Sequence, residues 1–165
     1  MKQTIFFDMD GTIADLYGVE NWLDYLIEKN PLPYEIAKPL VRLSTLARYL
    51  NKLQKQGYRI GVISWLSKDS NNIYDELVTY AKMQWLEKHL ASVQFNEIHI
   101  VDYGTPKELF SNGNDILFDD EEKNRNNWLG TAYDVTNILD ILKELSLWVF
   151  QKKIKKFLKK VLTKW

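Results

Sequence analysis

Two aspartates one residue apart, Asp8 and Asp10, directly follow the apolar residues 5–7. Three consecutive apolar residues predict a buried strand, and the alternation of an extended backbone aims both carboxylates to the same side of its end. Two like charges that close repel each other, so either one is protonated or a cation lies between them. Gly11 permits a sharp turn, and the Thr12 hydroxyl can orient a neighbouring carboxylate. An ordinary strand-ending turn, in which Asp and Gly are common, is the alternative.

Four further polar residues lie at the carboxyl ends of predicted strands or at the start of the next helix: Ser64, Lys107, Asp119 and Asp120. Each has an ordinary explanation when taken alone. A serine often precedes a helix, most lysines are solvated, and acidic residues favour helix N-termini. In a parallel sheet, however, all of these positions reach one crevice together with the paired aspartates. Their joint placement predicts a functional site.

The chemistry that this set permits is metal-assisted phosphoryl transfer. Asp8 is the expected nucleophile, because a carboxylate can attack phosphorus and form an aspartyl-phosphate. Asp10 is the expected general acid for the leaving oxygen and then the general base for water. Ser64 and Lys107 are expected to hold phosphoryl oxygens, with Lys107 also offsetting the charge of Asp8. Thr12 is assigned to the same phosphate site.

A cation is expected to offset the charge of the carboxylates and of the phosphate. Mg²⁺ prefers oxygen ligands, and the predicted donors are Asp8, the backbone carbonyl of Asp10, and Asp119, with Asp120 in the same acidic pair. The sequence therefore predicts Mg²⁺ as the cofactor.

The predicted elements alternate between strands and helices. The predicted strands span residues 5–7, 58–64, 97–102, 115–118 and 131–135. The predicted helices span residues 19–29, 34–56, 67–90, 124–129 and 137–147, with a short helix that opens at residues 105–108 in a capping-box pattern. A bend is expected at Pro39, and Gly57 and Gly130 are expected to end helices. This alternation predicts an α/β Rossmann-like three-layer fold with a parallel central sheet.

The 165 residues are enough for one domain with a sizeable core. We expect residues 1–150 to form the α/β body and residues 151–165 to form a basic amphipathic helix. Residues from about 17 to about 42 lie between the first two predicted strands and form an insert in the predicted body.

Charge is distributed unevenly along the chain. The 22 basic and 22 acidic residues cancel, but residues 151–165 hold seven lysines and no acid, so residues 1–150 carry a net charge of −7. An acidic body argues against a broad nucleic-acid-binding face, which needs clustered Lys or Arg. The apolar stripe of the tail is expected to pack on this body or on a second subunit, as in a homodimer. The alternative is that the tail contacts an anionic membrane or nucleic acid.

The composition also bears on the compartment. There is no cysteine, which excludes disulfides and thiolate metal sites and suits a reducing compartment. The first strand starts too early to leave room for a signal peptide, and no apolar run is long enough to span a bilayer. The expectation is therefore a cytoplasmic protein without a transmembrane segment.

Four stretches in order resemble the motifs of the haloacid dehalogenase-like phosphohydrolases. They are residues 8–12 (DMDGT), 62–64 (VIS), 105–107 (TPK) and 117–120 (LFDD). The resemblance covers about residues 5–135, nearly the whole predicted body. A threonine after the glycine of the first motif is typical of the phosphatases of that superfamily. The resemblance implies a Mg²⁺-dependent phosphatase with a Rossmann-like fold, and it implies that the insert at about residues 17–42 is a small helical cap. A cap closes over a site and excludes water from it.

Within that superfamily the chain is most similar to deoxyribonucleotidases, which act on 5′ and 3′ nucleoside monophosphates. The similarity rests on the DMDG start, the small helical insert, and the WLEK block at residues 85–88. The chain departs from the pattern after Ser64, where Trp65 and Leu66 replace a proline-containing stretch, and its insert is short. Trp65 is a candidate to stack on a base, or else packs the crevice wall. The alternative functions are a phosphatase of a small phosphosugar or other metabolite, and a non-enzymatic phosphate- or nucleic-acid-binding module.

Overall fold

The computed structural model describes the backbone of residues 2–162 and the side chains of residues 2–149 and 154. The strands in this range are β1 (Thr4–Phe7), β2 (Ala14–Asp15), β3 (Lys38–Pro39), β4 (Arg59–Trp65), β5 (Glu97–Val101), β6 (Ile116–Phe118) and β7 (Thr131–Tyr133). The helices are α1 (Trp22–Ile27), α2 (Leu32–Ile36), α3 (Leu43–Gln56), α4 (Asn72–Leu90), α5 (Glu122–Asn127) and α6 (Ile138–Leu162). Two short 3-10 helices span Lys107–Phe110 and Val135–Asn137.

Five of these strands form a parallel sheet with the order β5-β4-β1-β6-β7. The chain winds outward from β1 to β4 and β5, and then returns to the other side of β1 to form β6 and β7. The strand order therefore reverses between β1 and β6, and ligands bind at such a reversal in open α/β sheets.

The two faces of β1 pack into different cores, as the period of a strand requires. Ile5 and Phe7 belong to the larger core, together with buried residues of α3, α4 and α6. Phe6 points to the opposite face and packs with Leu117 and Trp128, close to the 3-10 helix Lys107–Phe110. Helical layers on both faces of a parallel sheet confirm the predicted three-layer α/β fold.

The predicted helix over residues 34–56 is wrong, because two helices occupy this segment. β3 separates α2 from α3 and pairs in antiparallel fashion with β2, with Ala14 opposite Pro39. Proline lacks a backbone N–H and disfavours helical geometry in the residue before it, so the chain is extended here instead of bent. β2 lies in the segment that directly follows the turn after the two aspartates.

Other boundaries shift by a few residues. α4 begins at Asn72 instead of residue 67, because the Asn71 side chain caps it by accepting the backbone N–H of Tyr74 at 2.9 Å. Pro106 precedes the 3-10 helix, and the Thr105 hydroxyl donates to the Asp102 carbonyl instead of capping that helix. α5 ends before Trp128, so the predicted cap at Gly130 is wrong.

Gly130 has a different role in the fold. A Cβ atom at this position would lie 1.9 Å from the carbonyl oxygen of Asp115, so the glycine allows β7 to approach β6 closely. The backbone of Asp115 also accepts the N–H of Thr131 at 3.0 Å.

α6 is one continuous helix across the predicted boundary between residues 150 and 151. Apart from Ile154, the side chains of residues 151–165 lie outside the described part of the chain, so the division into body and tail and the contacts of the tail stay predictions. No helix within residues 2–162 combines the length and the apolar character that crossing a membrane requires.

The insert between β1 and α3 contains α1, α2 and β3. Leu16 and Tyr34 are buried against Tyr74 and Val78 of α4. The insert is therefore anchored on the body through α4, and its action as a closing cap stays a prediction.

Candidate active site

Asp8 lies at the point where the strand order reverses. It follows β1 directly, and its backbone N–H donates to the Phe118 carbonyl of β6 at 2.9 Å. The Nζ atom of Lys107 lies 3.0 Å from Asp8 Oδ1 and 2.6 Å from Asp119 Oδ2, and all three side chains are buried. Burial lowers the pKa of Lys107, but the charges of the two carboxylates outweigh it and raise that pKa overall. The structure thus brings together three residues that the sequence predicts for the site.

Three carboxylates form a group that fits a metal ion. Asp8, Asp119 and Asp120 each offer an oxygen, and these oxygens lie within 4.8 Å of one another. Burial, and then the charge of Asp8, raise the pKa of Asp119, and the same causes raise the pKa of Asp120 to about 7. A divalent cation would relieve this repulsion, and three hard oxygen donors suit Mg²⁺.

The Asp119 carboxylate is held by a dense set of donors. Asn124 Nδ2 lies 3.2 Å from each of its oxygens, and the Glu121 backbone N–H donates to Oδ1 at 2.9 Å. Arg125 Nη1 donates to the carbonyl oxygens of Asp119 and Asp120 at 2.9 and 2.6 Å. Asn124 and Arg125 were not predicted from the sequence, although both lie on α5, the helix that follows the acidic pair.

Thr12 contacts Asp120, in agreement with the expected orientation of a neighbouring carboxylate. Its hydroxyl lies 3.3 Å from Asp120 Oδ1 and also accepts the Asp120 backbone N–H at 3.2 Å. Thr12 is buried, and its predicted phosphate contact stays a prediction. Gly11 has a φ of +75°, and a Cβ at this position would lie 2.4 Å from Asp120 Oδ2. The turn therefore requires glycine for both backbone conformation and space.

The Asp10 side chain is held by a different cation. Its Oδ2 accepts from Lys82 Nζ at 2.6 Å, and its side chain is 16% exposed. Burial raises the pKa of Asp10, against the opposing charge of Lys82. The carbonyl contribution of Asp10 to a metal stays a prediction.

Lys82 was missed in the sequence analysis, although the sequence holds a signal for it. It lies four residues from Val78 and from Leu86, in the middle of the buried stripe of α4. Lysine is almost never fully buried unless it is paired, so a lysine in such a stripe indicates a buried acidic partner.

Ser64 and Trp65 end β4 beside these residues. Ser64 is fully buried, and its hydroxyl accepts from Lys82 Nζ at 2.8 Å. The Trp65 indole donates to the Thr105 carbonyl at 2.9 Å, and its ring centre lies 4.9 Å from Lys107 Nζ. Trp65 thus packs in the crevice wall over Lys107. The predicted phosphate contact of Ser64 and base contact of Trp65 stay predictions.

A cavity of about 320 Å³ opens on this cluster, and Asp8, Asp10 and Lys107 lie in its lining. The aromatic residues of the lining are Tyr17, Trp22, Tyr34, Trp65 and Tyr103. Tyr17, Trp22 and Tyr34 belong to the insert between β1 and α3, and apolar side chains of α1 extend the same surface. The cavity therefore joins a charged end to an aromatic and apolar end.

Comparison with known proteins adds little to this geometry. No protein-family model and no curated protein matches the chain. Among solved structures, the chain is similar to the crystal structure of D,D-heptose 1,7-bisphosphate phosphatase from Burkholderia thailandensis, with a TM-score of 0.47 and 15% identity over 76% of this chain and 70% of that one. That protein is a phosphatase, the class that the motifs predict, but at this TM-score and identity the likeness decides nothing about the chemistry of this chain.

Proposed function

We propose that the chain is a Mg²⁺-dependent phosphomonoesterase of the haloacid dehalogenase-like superfamily, with a nucleoside monophosphate as its substrate. The observation that carries the proposal is the position of Lys107 between Asp8 and Asp119, two carboxylates that form a group of possible metal donors with Asp120. A carboxylate nucleophile, a cation for phosphoryl oxygens and a set of metal donors then lie in one crevice. A cytoplasmic location, which the lack of cysteine favours, belongs to the same proposal.

In the first step, an oxygen of Asp8 attacks phosphorus while the bond from phosphorus to the leaving oxygen breaks. The proton for the leaving oxygen comes from Asp10, whose raised pKa favours the protonated form that this step needs. In the second step, water attacks the aspartyl-phosphate, the bond between phosphorus and Asp8 breaks, and Asp10 takes the proton from water. Mg²⁺ held by Asp8, Asp119 and Asp120 would supply charge stabilisation for the phosphoryl oxygens.

The lining of the cavity supports a nucleoside as the leaving group. Nucleobases stack on aromatic side chains, and five such residues line a cavity that also reaches Asp8. A sugar phosphate presents hydroxyl groups that need polar partners. Ser67, Lys68 and Asp69 also line the cavity, but the aromatic rings and the apolar side chains of α1 provide the surface that suits a base. The aromatic end therefore favours a nucleotide over a phosphosugar, and a 5′(3′)-deoxyribonucleotidase is the specific form of the proposal.

The test is phosphate release from 5′ and 3′ nucleoside and deoxynucleoside monophosphates and from phosphosugars, with Mg²⁺ and with a chelator. We expect metal-dependent release that is concentrated on the nucleotides. Release concentrated on phosphosugars would support the phosphatase chemistry but contradict the nucleoside monophosphate as the substrate. If no compound releases phosphate, the result contradicts the phosphatase proposal and favours a binding module.

A variant of Trp65 sharpens the assignment of the base pocket. Trp65→Leu removes an aromatic face from the cavity, so we expect kcat/KM to fall more for nucleotides than for a small aliphatic phosphate. Tyr80→Leu is the control, because Tyr80 is exposed on α4 and does not line this cavity. If kcat/KM falls equally for both substrates in Trp65→Leu, the result would contradict base recognition by Trp65. The contact with Lys107 would then be the remaining role of Trp65.

A further inference from the structure

Lys82 is a second buried cation in the crevice, with partners distinct from those of Lys107. It is 1% exposed, and its Nζ atom lies 2.6 Å from Asp10 Oδ2, 2.8 Å from Ser64 Oγ and 2.6 Å from the Trp65 carbonyl oxygen. An ammonium group has three N–H donors, so each donor has an acceptor within the protein. Lys82 is thus fully engaged by the protein and has no donor left for a phosphoryl oxygen.

The two lysines divide the carboxylates of the site between them. Lys107 contacts Asp8 and Asp119, whereas Lys82 contacts Asp10. Taking an ammonium group out of water costs several kcal/mol, and apolar residues often replace a buried ion pair without loss of stability. Packing of the α4 stripe alone therefore gives no reason for a lysine at this position.

The contacts of Lys82 connect the two strand ends that flank the crevice. Asp10 belongs to the turn after β1, while Ser64 and Trp65 form the end of β4. Lys82 comes from the middle of α4, and the Tyr34 ring of the insert lies 5.0 Å from its Nζ atom. One ammonium group thus fixes the Asp10 side chain relative to β4.

We propose that Lys82 is a positioning residue for the proton transfer by Asp10. Lys82 holds Oδ2 of Asp10, which directs the other oxygen, Oδ1, toward the leaving oxygen with the proton that it delivers. This inference rests on the proposed phosphomonoesterase function, because it assigns a support to the general acid of that reaction. Lys82 itself does not touch the phosphoryl group.

The test measures how strongly the phosphorylation step depends on the leaving group. Aryl phosphates fit an aromatic cavity, and the phenyl, 4-nitrophenyl and 2,4-dinitrophenyl esters form a series of increasingly good leaving groups. The pre-steady-state burst of phenol release reports the first step alone. A good leaving group needs no proton, so help from Asp10 matters only for the poor ones.

In Lys82→Met we expect the burst rate constant for phenyl phosphate to fall by about 100-fold, since general acid catalysis contributes about 100-fold or more. For 2,4-dinitrophenyl phosphate we expect the burst rate constant to fall, and KM to change, by no more than about threefold, because Lys107 keeps its own contacts. Lys88→Met is the matched control, because Lys88 is exposed on the same helix. Lys82→Gln is a second variant that keeps a polar side chain, and we expect the same selectivity from it.

A double variant tests whether Lys82 acts through Asp10. In an Asp10→Asn background, Lys82→Met should cause little further loss with any of the three esters. Equal losses for all three esters in Lys82→Met, or a full further loss in the double variant, would overturn the proposal. The same holds if both Lys82 variants match the wild type. A wild type that releases no phenol from any ester would overturn the proposed function itself, so the two failures are distinguishable.

Discussion

The ammonium group of Lys107 lies between two buried carboxylates, so its removal leaves like charges facing each other. We expect Lys107→Met to lower the rate of phosphate release by at least about 100-fold, because a cation aimed at developing charge is lost. The free energy of unfolding without metal should fall by about 3 kcal/mol, because a buried ion pair loses one partner. Phosphate assays and urea unfolding measure both effects. Lys123→Met is the control at an exposed position of α5. A wild-type rate of phosphate release in Lys107→Met would contradict a catalytic role for Lys107.

The raised pKa of Asp120, about 7, gives the metal-free protein a pH-dependent stability. A carboxyl whose pKa is raised in the folded state contributes stability below its unfolded pKa of about 4, and this contribution is lost as the pH rises through about 7. We therefore expect the Tm without metal to fall as the pH rises from about 4 to about 7. Mg²⁺ should bind more tightly as the pH rises, because binding releases protons. Thermal scans with and without Mg²⁺ measure both trends, and an unchanged pH slope in Asp120→Asn would contradict this assignment.

Several site residues could be predicted from the sequence because each lies next to a strand end or at the start of the helix that follows it. Asp8, Lys107 and Asp119 needed only the positions of the strands and the rule that parallel strands share one carboxyl edge. Lys82 was not predicted, because it comes from the middle of a helix. The rotation of α4 about its axis depends on packing against Leu16 and Tyr34, which are distant in sequence.

The turn after β1 depends on Gly11 for both conformation and space. Gly11→Ala places a Cβ 2.4 Å from Asp120 Oδ2 and forces a left-handed backbone that costs about 1–2 kcal/mol. We expect weaker Mg²⁺ binding and slower turnover, since Asp120 must move. Gly57→Ala is the matched control, because φ is +108° there and a Cβ would meet no atom within 4 Å. Isothermal titration with Mg²⁺ distinguishes them, and equal Mg²⁺ affinity in both variants would contradict the role of the turn.

Most strands and helices could be predicted from apolar runs and periodicity, because these local patterns decide which surface is buried. The break between α2 and α3 could not be located in this way. It depends on the pairing of Ala14 with Pro39, a contact between segments that are far apart along the chain. The start of α4 depended on one side chain, Asn71, whose capping role the sequence analysis did not assign.

The surface of α6 bears on the assembly of the protein. Leu147, Trp148 and Ile154 are each more than two-fifths exposed on this helix. We expect the chain to form a homodimer through α6, and Ile154→Glu to weaken it by placing a charge on that surface. Sedimentation velocity measures the oligomeric state. Ile73→Glu is the control on α4, where Ile73 is 74% exposed, and a monomeric wild type would contradict the homodimer.

The three-layer architecture could be predicted because the order of strands and helices leaves few ways to wind a parallel sheet. The substrate is less accessible to sequence reasoning. The aromatic end of the cavity combines residues of the insert with Trp65 and Tyr103 of the body. Which rings line one cavity depends on how the insert folds over the sheet, and no local pattern encodes that.

Trapping the phosphorylated enzyme directly tests whether Asp8 is the nucleophile. The wild type is mixed with a nucleoside monophosphate and Mg²⁺, quenched in acid during turnover, and analysed by peptide mass spectrometry. We expect one phosphoryl group on Asp8, none in Asp8→Asn or with a chelator, and normal labelling in the control Asp140→Asn at an exposed position of α6. Turnover without any label on Asp8, or a wild-type rate in Asp8→Asn, would contradict the assignment of Asp8 as the nucleophile.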